Sequence, residues 1–327
     1  MPIDNALSHT EEVPLLRRFS IATFGWVMGI GGLANALFAA HTVLGVPLIA
    51  SQVLLVLACG CFVVLALTHL AKLVLHFDAV QEEFMHGIKS SFFPAASVSM
   101  IVLSIGLRNY SEPTARLLWC TGSGLHLILA LILIRRWLLH SQDEGVMTPA
   151  WFIPVVGNIL VPVGGVPLGY VEASWFFFSI GLVLWVVFFT IALHRILFFP
   201  AMSERSIPTL FILLAPPSIG LAAYLAFNDG HIGPLADILY CVALFMAMLL
   251  VTMVRQITHG AFFMSWWAMT FPLDAWAGSC IYYAHARTGN FTTTIAIVAL
   301  AMATVMVFWV LGRTIVQIVT GKAFHED

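Results

Sequence analysis

Charge is what this sequence lacks most. Lys, Arg, Asp and Glu make up 9% of the 327 residues, while 61% are hydrophobic; a soluble domain carries roughly a quarter charged residues. So few charges cannot cover a water-facing surface or build the basic face that a nucleic acid requires, so soluble enzymes and nucleic-acid-binding proteins are excluded. Catalytic signatures are missing as well: the sequence has no H-E-x-x-H, no G-x-S-x-G, no Walker loop and no G-x-G-x-x-G after a strand. Cysteine is scarce. Cys59, Cys61, Cys120, Cys241 and Cys280 all lie in apolar runs, and Cys59 and Cys61, two apart on a helix, point to different faces. They read as packing residues, and no metal or other cofactor is implied. Of the histidines only His126 stands clearly in mid-helix, without a partner four residues away. A haem-binding electron carrier would need paired histidines on facing helices. There is also no cleavable signal peptide of the usual pattern, so the first apolar span is expected to stay in the mature protein.

What the sequence does have is apolar length. Ten stretches are long enough to cross a bilayer, at about residues 19–41, 48–75, 88–108, 112–139, 149–168, 172–196, 206–228, 233–256, 262–286 and 292–320. The expected fold is an all-α polytopic membrane protein, a single transmembrane domain over 1–327 with short cytoplasmic tails at about 1–17 and 321–327. With ten spans, Arg17, Arg18, Lys72, Lys89, Arg135, Arg136, Arg195, Arg205, Arg255, Arg313 and Lys322 fall on one side, and Arg108, Arg116 and Arg287 on the other. This asymmetry puts both termini in the cytoplasm.

Proline is absent from the interior of every even span and recurs in the odd ones. Pro94 lies in the third, Pro154 and Pro162 in the fifth, Pro216 and Pro217 in the seventh and Pro272 in the ninth, while the first has glycines instead, in FGWVMGIGGLANAL. Proline removes an N–H and clashes with the carbonyl four residues earlier, so each break frees polar backbone that bare lipid cannot satisfy. Broken helices therefore belong inside, facing protein or a water-filled path. The pattern predicts five helical hairpins, with straight even helices outside and kinked odd helices inside, around a central axis.

No basic residue lies near the middle of a span. A site for a tightly held dianion would usually supply an arginine there. Anions must be stabilised by weaker means, such as N–H groups and partial positive charge at half-helix N-termini, which suits conduction better than binding. Arg17, Arg18 and Lys89 at the cytoplasmic mouth raise the local anion concentration on this reading, or serve simply as topology signals. Asn158, in the fifth span, is a neutral polar pore lining or a helix-packing amide.

The ninth span, SWWAMTFPLDAWAGSCIYYAH, together with TFGWVMGIGGLANAL, TPAWFIPVVGNILVPVG and LAPPSIGLAAYLAF, resembles the tellurite-resistance/dicarboxylate transporter family. That family includes bacterial TehA and the plant slow-type guard-cell anion channels. The likeness runs from about residue 18 to 320, nearly the whole chain. It implies five hairpins in quasi-five-fold order, an inner ring of odd helices forming a pore, a homotrimer with one pore per subunit and, for a bacterial member, the inner membrane. It further implies that a phenylalanine of the ninth span plugs the pore, here Phe271, aimed at the axis by Pro272. A second ring toward it would come from Phe24, with Gly25 allowing close backbone approach. Asp274 departs from the family pattern: an ionised carboxylate one turn from the gate repels anions. Its carboxyl can be protonated, accept hydrogen bonds from backbone freed at Pro272, or pair with His285 or His41.

Two functional readings follow. The first is a passive channel for small monovalent anions such as chloride or nitrate, gated by Phe271. The second is a proton-coupled carrier of C4-dicarboxylate, sulfite or tellurite-like oxyanions, with Asp274 as coupling group. Carriers often show inverted repeats, and five parallel hairpins favour the channel.

Overall fold

The structure, a computed structural model, describes residues 14–259 and 261–321. Most of the expected tails, with Lys322, lies outside the described residues. The α-helices are α1 (Leu15–Arg18), α2 (Phe24–Leu44), α3 (Leu48–Leu75), α4 (Phe77–Met85), α5 (Pro94–Leu107), α6 (Glu112–Leu139), α7 (Phe152–Val156), α8 (Val161–Gly165), α9 (Val171–Phe198), α10 (Ala215–Phe227), α11 (Pro234–Thr258), α12 (Thr270–Ala286) and α13 (Asn290–Val319). The protein is an all-α integral membrane protein: among the described residues, eight helical stretches are long and apolar enough to cross a membrane. The expected fifth and ninth spans are not among these eight. The fifth is the shorter apolar stretch Pro149–Gly165. The ninth comprises Met264–Met269 and α12, where Asp274 and several hydroxyl residues dilute the apolar character.

The even spans are continuous helices, as their lack of interior proline predicts. The odd spans differ from simple kinked helices: each opens with a 3-10 segment and becomes α-helical partway. These segments are Ile21–Thr23, Lys89–Phe92, Pro149–Trp151, Ile207–Leu214 and Met264–Met269, and Gly157–Leu160 interrupts the fifth span a second time. The prolines explain the switch. Pro94 begins α5, Pro162 and Pro216 are second in α8 and α10, and Pro272 is third in α12, within the first turn, where a missing N–H costs little. At Pro94, Pro162 and Pro216 the carbonyl that the missing N–H would have bonded four residues back takes a 3-10 bond instead. The Ser90 carbonyl accepts from Phe93 N–H, Asn158 from Val161 and Ile212 from Ala215. These breaks satisfy their own carbonyls, and the expectation of freed backbone is corrected at these three positions.

The odd spans are also the buried ones. The apolar parts of Ile21–Leu44, Lys89–Leu107 and Ile207–Phe227 are 67%, 67% and 78% buried, whereas those of α3, α6, α9, α11 and α13 are 22–33% buried. On the latter, side chains such as Val56, Leu117, Val183, Phe245 and Val305 are exposed, as lipid-facing residues should be. Contacts follow the same division: α2 packs on α5, α5 on α8, α8 on α10, α10 on α12, and α12 back on α2, while α3, α6, α9, α11 and α13 each pack on the odd-span helix just before. The odd-to-even links are short turns with left-handed glycines at Gly45, Gly169 and Gly230, and short links make antiparallel neighbours.

Closure of α12 on α2 depends on small residues at 25, 29 and 32, one stripe of α2. A methyl group at Gly25 would stand 3.4 Å from Trp267 Cβ, one at Gly29 would overlap the Thr270 side chain, and one at Gly32 would lie 2.8 Å from Asp274 Oδ2 and 3.1 Å from Phe271 Cδ2. At the face that holds both described chain ends, a buried ion pair fastens α4 to the start of α2. Lys72 Nζ is 2.7 Å from Glu83 Oε2 and donates to the Phe19 carbonyl at 2.8 Å, while Glu83 Oε1 accepts from Ile21 N–H at 2.8 Å and Ser20 Oγ at 3.2 Å. Lys72 and Glu83 are 3% and 9% exposed.

Lys72→Met strands a buried carboxylate and is expected to cost about 3–5 kcal/mol, read as a lower apparent melting temperature in detergent, with Lys72→Met/Glu83→Leu recovering part of the loss. Gly29→Val overfills the α2–α12 contact and is expected to cost about 1–3 kcal/mol in the same assay, whereas Gly60→Ala, in open space on α3, leaves the melting temperature unchanged.

Candidate functional site: two cavities and a phenylalanine septum

Two cavities lie within the ring of odd-span helices. The first, about 320 Å³, opens toward the face with the chain ends and includes Ser20, Gly25, His86, Lys89, Arg205 and Pro216 among its lining residues. The second, about 370 Å³, opens toward the opposite face and includes Asn35, Arg108, Asp229, Asp274, Tyr282 and His285. Three residues line both: Leu160, Ile219 and Phe271. They come from three different odd spans and form an apolar septum between the two spaces.

Phe271 is second in α12, immediately after the 3-10 turn, so its position follows from the junction that Pro272 helps to set. The lead-in is pinned to α13. Trp267 Nε1 donates to Thr314 Oγ1 at 2.9 Å, and Gln317 Nε2 donates to the Phe262 carbonyl at 3.2 Å. Thr270 Oγ1 in turn donates to the Trp267 carbonyl at 2.8 Å. On its other side the Phe271 ring lies against α2 at Gly32, where no side chain intervenes.

The other sequence-predicted residues divide. Gly25, Lys89, Pro216 and Pro272 line the first cavity, and Asp274 lines the second. Pro94 and Pro154 are buried in the helix packing and line neither cavity. Phe24 faces away from the septum: its ring stacks on His69 at 5.2 Å, lies 5.9 Å from Phe62 on α3, and lines an outer groove. Asn158 faces α9, close to Gly181, and its Nδ2 donates to the Val155 carbonyl at 2.8 Å, so the amide holds the second break of the fifth span. Arg17 pairs with Asp78 of α4 at 2.6 Å, Arg18 is exposed, and neither lines a cavity.

Asp274 is 2% exposed, and neither of its oxygens has a hydrogen-bond partner among the described residues. Of the three sequence alternatives, bonding to freed backbone and pairing with a histidine are not what the structure holds. His41 Nδ1 instead lies 2.8 Å from the Val46 carbonyl, and His285 shares the cavity without bonding to the carboxyl.

Sequence reasoning missed several lining residues. Arg205 and His86 join Lys89 at the first cavity, and Arg108 stands at the second. Each lies near a span end, where a basic residue reads only as a topology signal. The septum partners Leu160 and Ile219 carried no signal among so many aliphatic residues.

The arrangement is two cavities separated by one apolar layer, the first lined by Lys89, Arg205 and His86 and the second by Arg108 and His285 alongside Asp229 and Asp274. The chain is 28% identical over 319 residues to the S-type anion channel SLAH3 of Arabidopsis thaliana, covering 95% of this chain and 50% of that protein. It is 26% identical over 317 residues to the guard cell S-type anion channel SLAC1 of the same plant, covering 93% and 56%. With the tellurite resistance protein TehA homolog of Haemophilus influenzae the identity is 24% over 303 residues, covering 92% and 91%. The chain thus spans about half the length of the plant relatives and nearly all of the bacterial one. Residues 18–315 match the SLAC1 family, described as voltage-dependent anion channel, and on a match of that extent the chain belongs to this family of anion channels and transporters.

Proposed function

We propose that this chain is a passive channel for small monovalent anions, of the chloride and nitrate class, closed here by the Phe271 ring. The observation that carries the reading is the septum: Phe271, with Leu160 and Ile219, lines both cavities and separates them. An apolar constriction of this kind blocks ions by dewetting, and removing one ring joins the two spaces.

The pathway belongs to a ring of five helical hairpins in quasi-five-fold order, odd spans inner and even spans outer, forming one channel domain. The cyclic packing of α2, α5, α8, α10 and α12 supports this order. Ten spans are consistent with the 3-10 segments, which rise about 2.0 Å per residue: the short fifth span then reaches about 29 Å, close to the bilayer core of about 30 Å. Lys89, with Arg205 and His86, concentrates anions at the cytoplasmic mouth, and both termini lie on that side by the distribution of basic residues. Homotrimeric assembly with one pore per subunit, in a bacterial inner membrane, completes the proposal, since both cavities lie within a single chain.

The proton-coupled carrier of C4-dicarboxylates, sulfite or tellurite-like oxyanions remains as a second reading, favoured by the unpartnered carboxyl of Asp274. No arginine or lysine lies at the septum to hold a dianion, which weighs for the channel.

In oocytes or planar bilayers, Phe271→Ala is expected to raise chloride and nitrate current by about an order of magnitude or more over wild type, with reversal at the anion's equilibrium potential whatever the proton gradient. Uptake that instead follows the proton gradient, with no current in Phe271→Ala, is the carrier's signature.

A further inference from the structure

Asp274 takes no part in the septum, yet it is the first polar group beyond Phe271 along α12, about one turn on. It lines the second cavity, is 2% exposed and has both oxygens unpartnered. A carboxylate in that position is costly unless its charge is compensated, and the groups around it do not compensate it. On α2 it meets Gly32 and shares the cavity with Asn35, whose Nδ2 is committed to the Val102 carbonyl at 3.0 Å. Ser279 of its own helix donates instead to the Trp276 carbonyl at 3.0 Å. The charged and titratable groups of the cavity are Arg108 after α5, Asp229 after α10, and Tyr282 and His285 on α12; α11 and α13 contribute no residue to its lining. None of these bonds to Asp274.

We propose that Asp274 is a proton-binding site that the anion and a proton occupy together, so that passage across the septum depends on protonation of this one carboxyl. The inference deepens the channel reading and rests on it. The step is a single transfer: a proton from water in the cavity binds one carboxylate oxygen, and no other bond changes. As a carboxylate, Asp274 repels an anion arriving over Phe271. A unit charge within about 6 Å, at an effective dielectric constant of about 20, changes anion occupancy by about a hundredfold. With the proton bound, the repulsion is removed and the carboxyl O–H can donate to the anion. Lower pH therefore favours conduction.

Two measurements test this. In Phe271→Ala, nitrate current is expected to rise about tenfold or more as pH is lowered through the titration of Asp274; the rise disappears in Phe271→Ala/Asp274→Asn, which stays open, and persists in Phe271→Ala/Asp274→Glu. Separately, at a pH above the midpoint of that current titration, where the carboxyl is ionised, adding nitrate to the purified wild-type protein in weakly buffered detergent solution is expected to take up protons, read with a pH indicator, whereas Asp274→Asn takes up none. Equal pH dependence with and without Asp274, or no proton uptake by the wild type, overturns the proposal. Proton uptake confined to the wild type, with no current through Phe271→Ala, would retain the proton site and reject the channel reading.

Discussion

The structure depends on one constraint: in hydrocarbon, every backbone N–H and C=O must find a partner within the protein. A proline in a spanning helix violates that constraint locally, and at Pro94, Pro162 and Pro216 this chain restores it in the same way. The proline sits in the first turn of an α-helical stretch, and the stretch before it winds as a 3-10 helix whose tighter bonds recover the stranded carbonyl. The 3-10 segments, with poorer hydrogen-bond geometry, are kept within the packed ring, and the uninterrupted helices take the lipid-facing positions. The same junctions decide where side chains point, because the change of helical pitch rotates everything that follows. Phe271 stands at one such junction.

A second consequence concerns charge. The septum is purely apolar; Lys89, Arg205 and His86 line the first cavity, and Arg108 and His285 line the second together with Asp229 and Asp274. On the proposed channel reading, the basic groups draw anions into the cavities while the apolar layer provides no deep well between them, which is the balance that conduction requires. The buried Lys72–Glu83 pair serves another end. By holding Ile21 N–H and the Phe19 carbonyl, it fixes the segment from which α2 enters the ring, beside residues that line the first cavity.

Much of the architecture was legible in the sequence, because proline placement and apolar length report backbone requirements that do not depend on the neighbours. The segregation of prolines into odd spans predicted which helices are buried. Side-chain direction was less legible. Phe24 and Phe271 look alike in sequence, yet Phe24 stacks outward on His69 while Phe271 lines both cavities. Asn158 faces α9 rather than a cavity because the Gly157–Leu160 turn rotates it away. Arg108 and Arg205 could not be distinguished from topology signals, since only the folded ring brings span ends together around a cavity.

The central claim is that Phe271 separates two otherwise accessible spaces, and thiol accessibility tests it most directly. Ala268 lines only the first cavity and Ala275 only the second. In sealed vesicles of known orientation, a membrane-impermeant thiol reagent applied at the face with the chain ends should label Ala268→Cys and not Ala275→Cys, against the background of the native cysteines. Adding Phe271→Ala should make Ala275→Cys reactive from that same face. Labelling of Ala275→Cys while Phe271 is intact, or its continued protection in the alanine variant, would contradict the assignment.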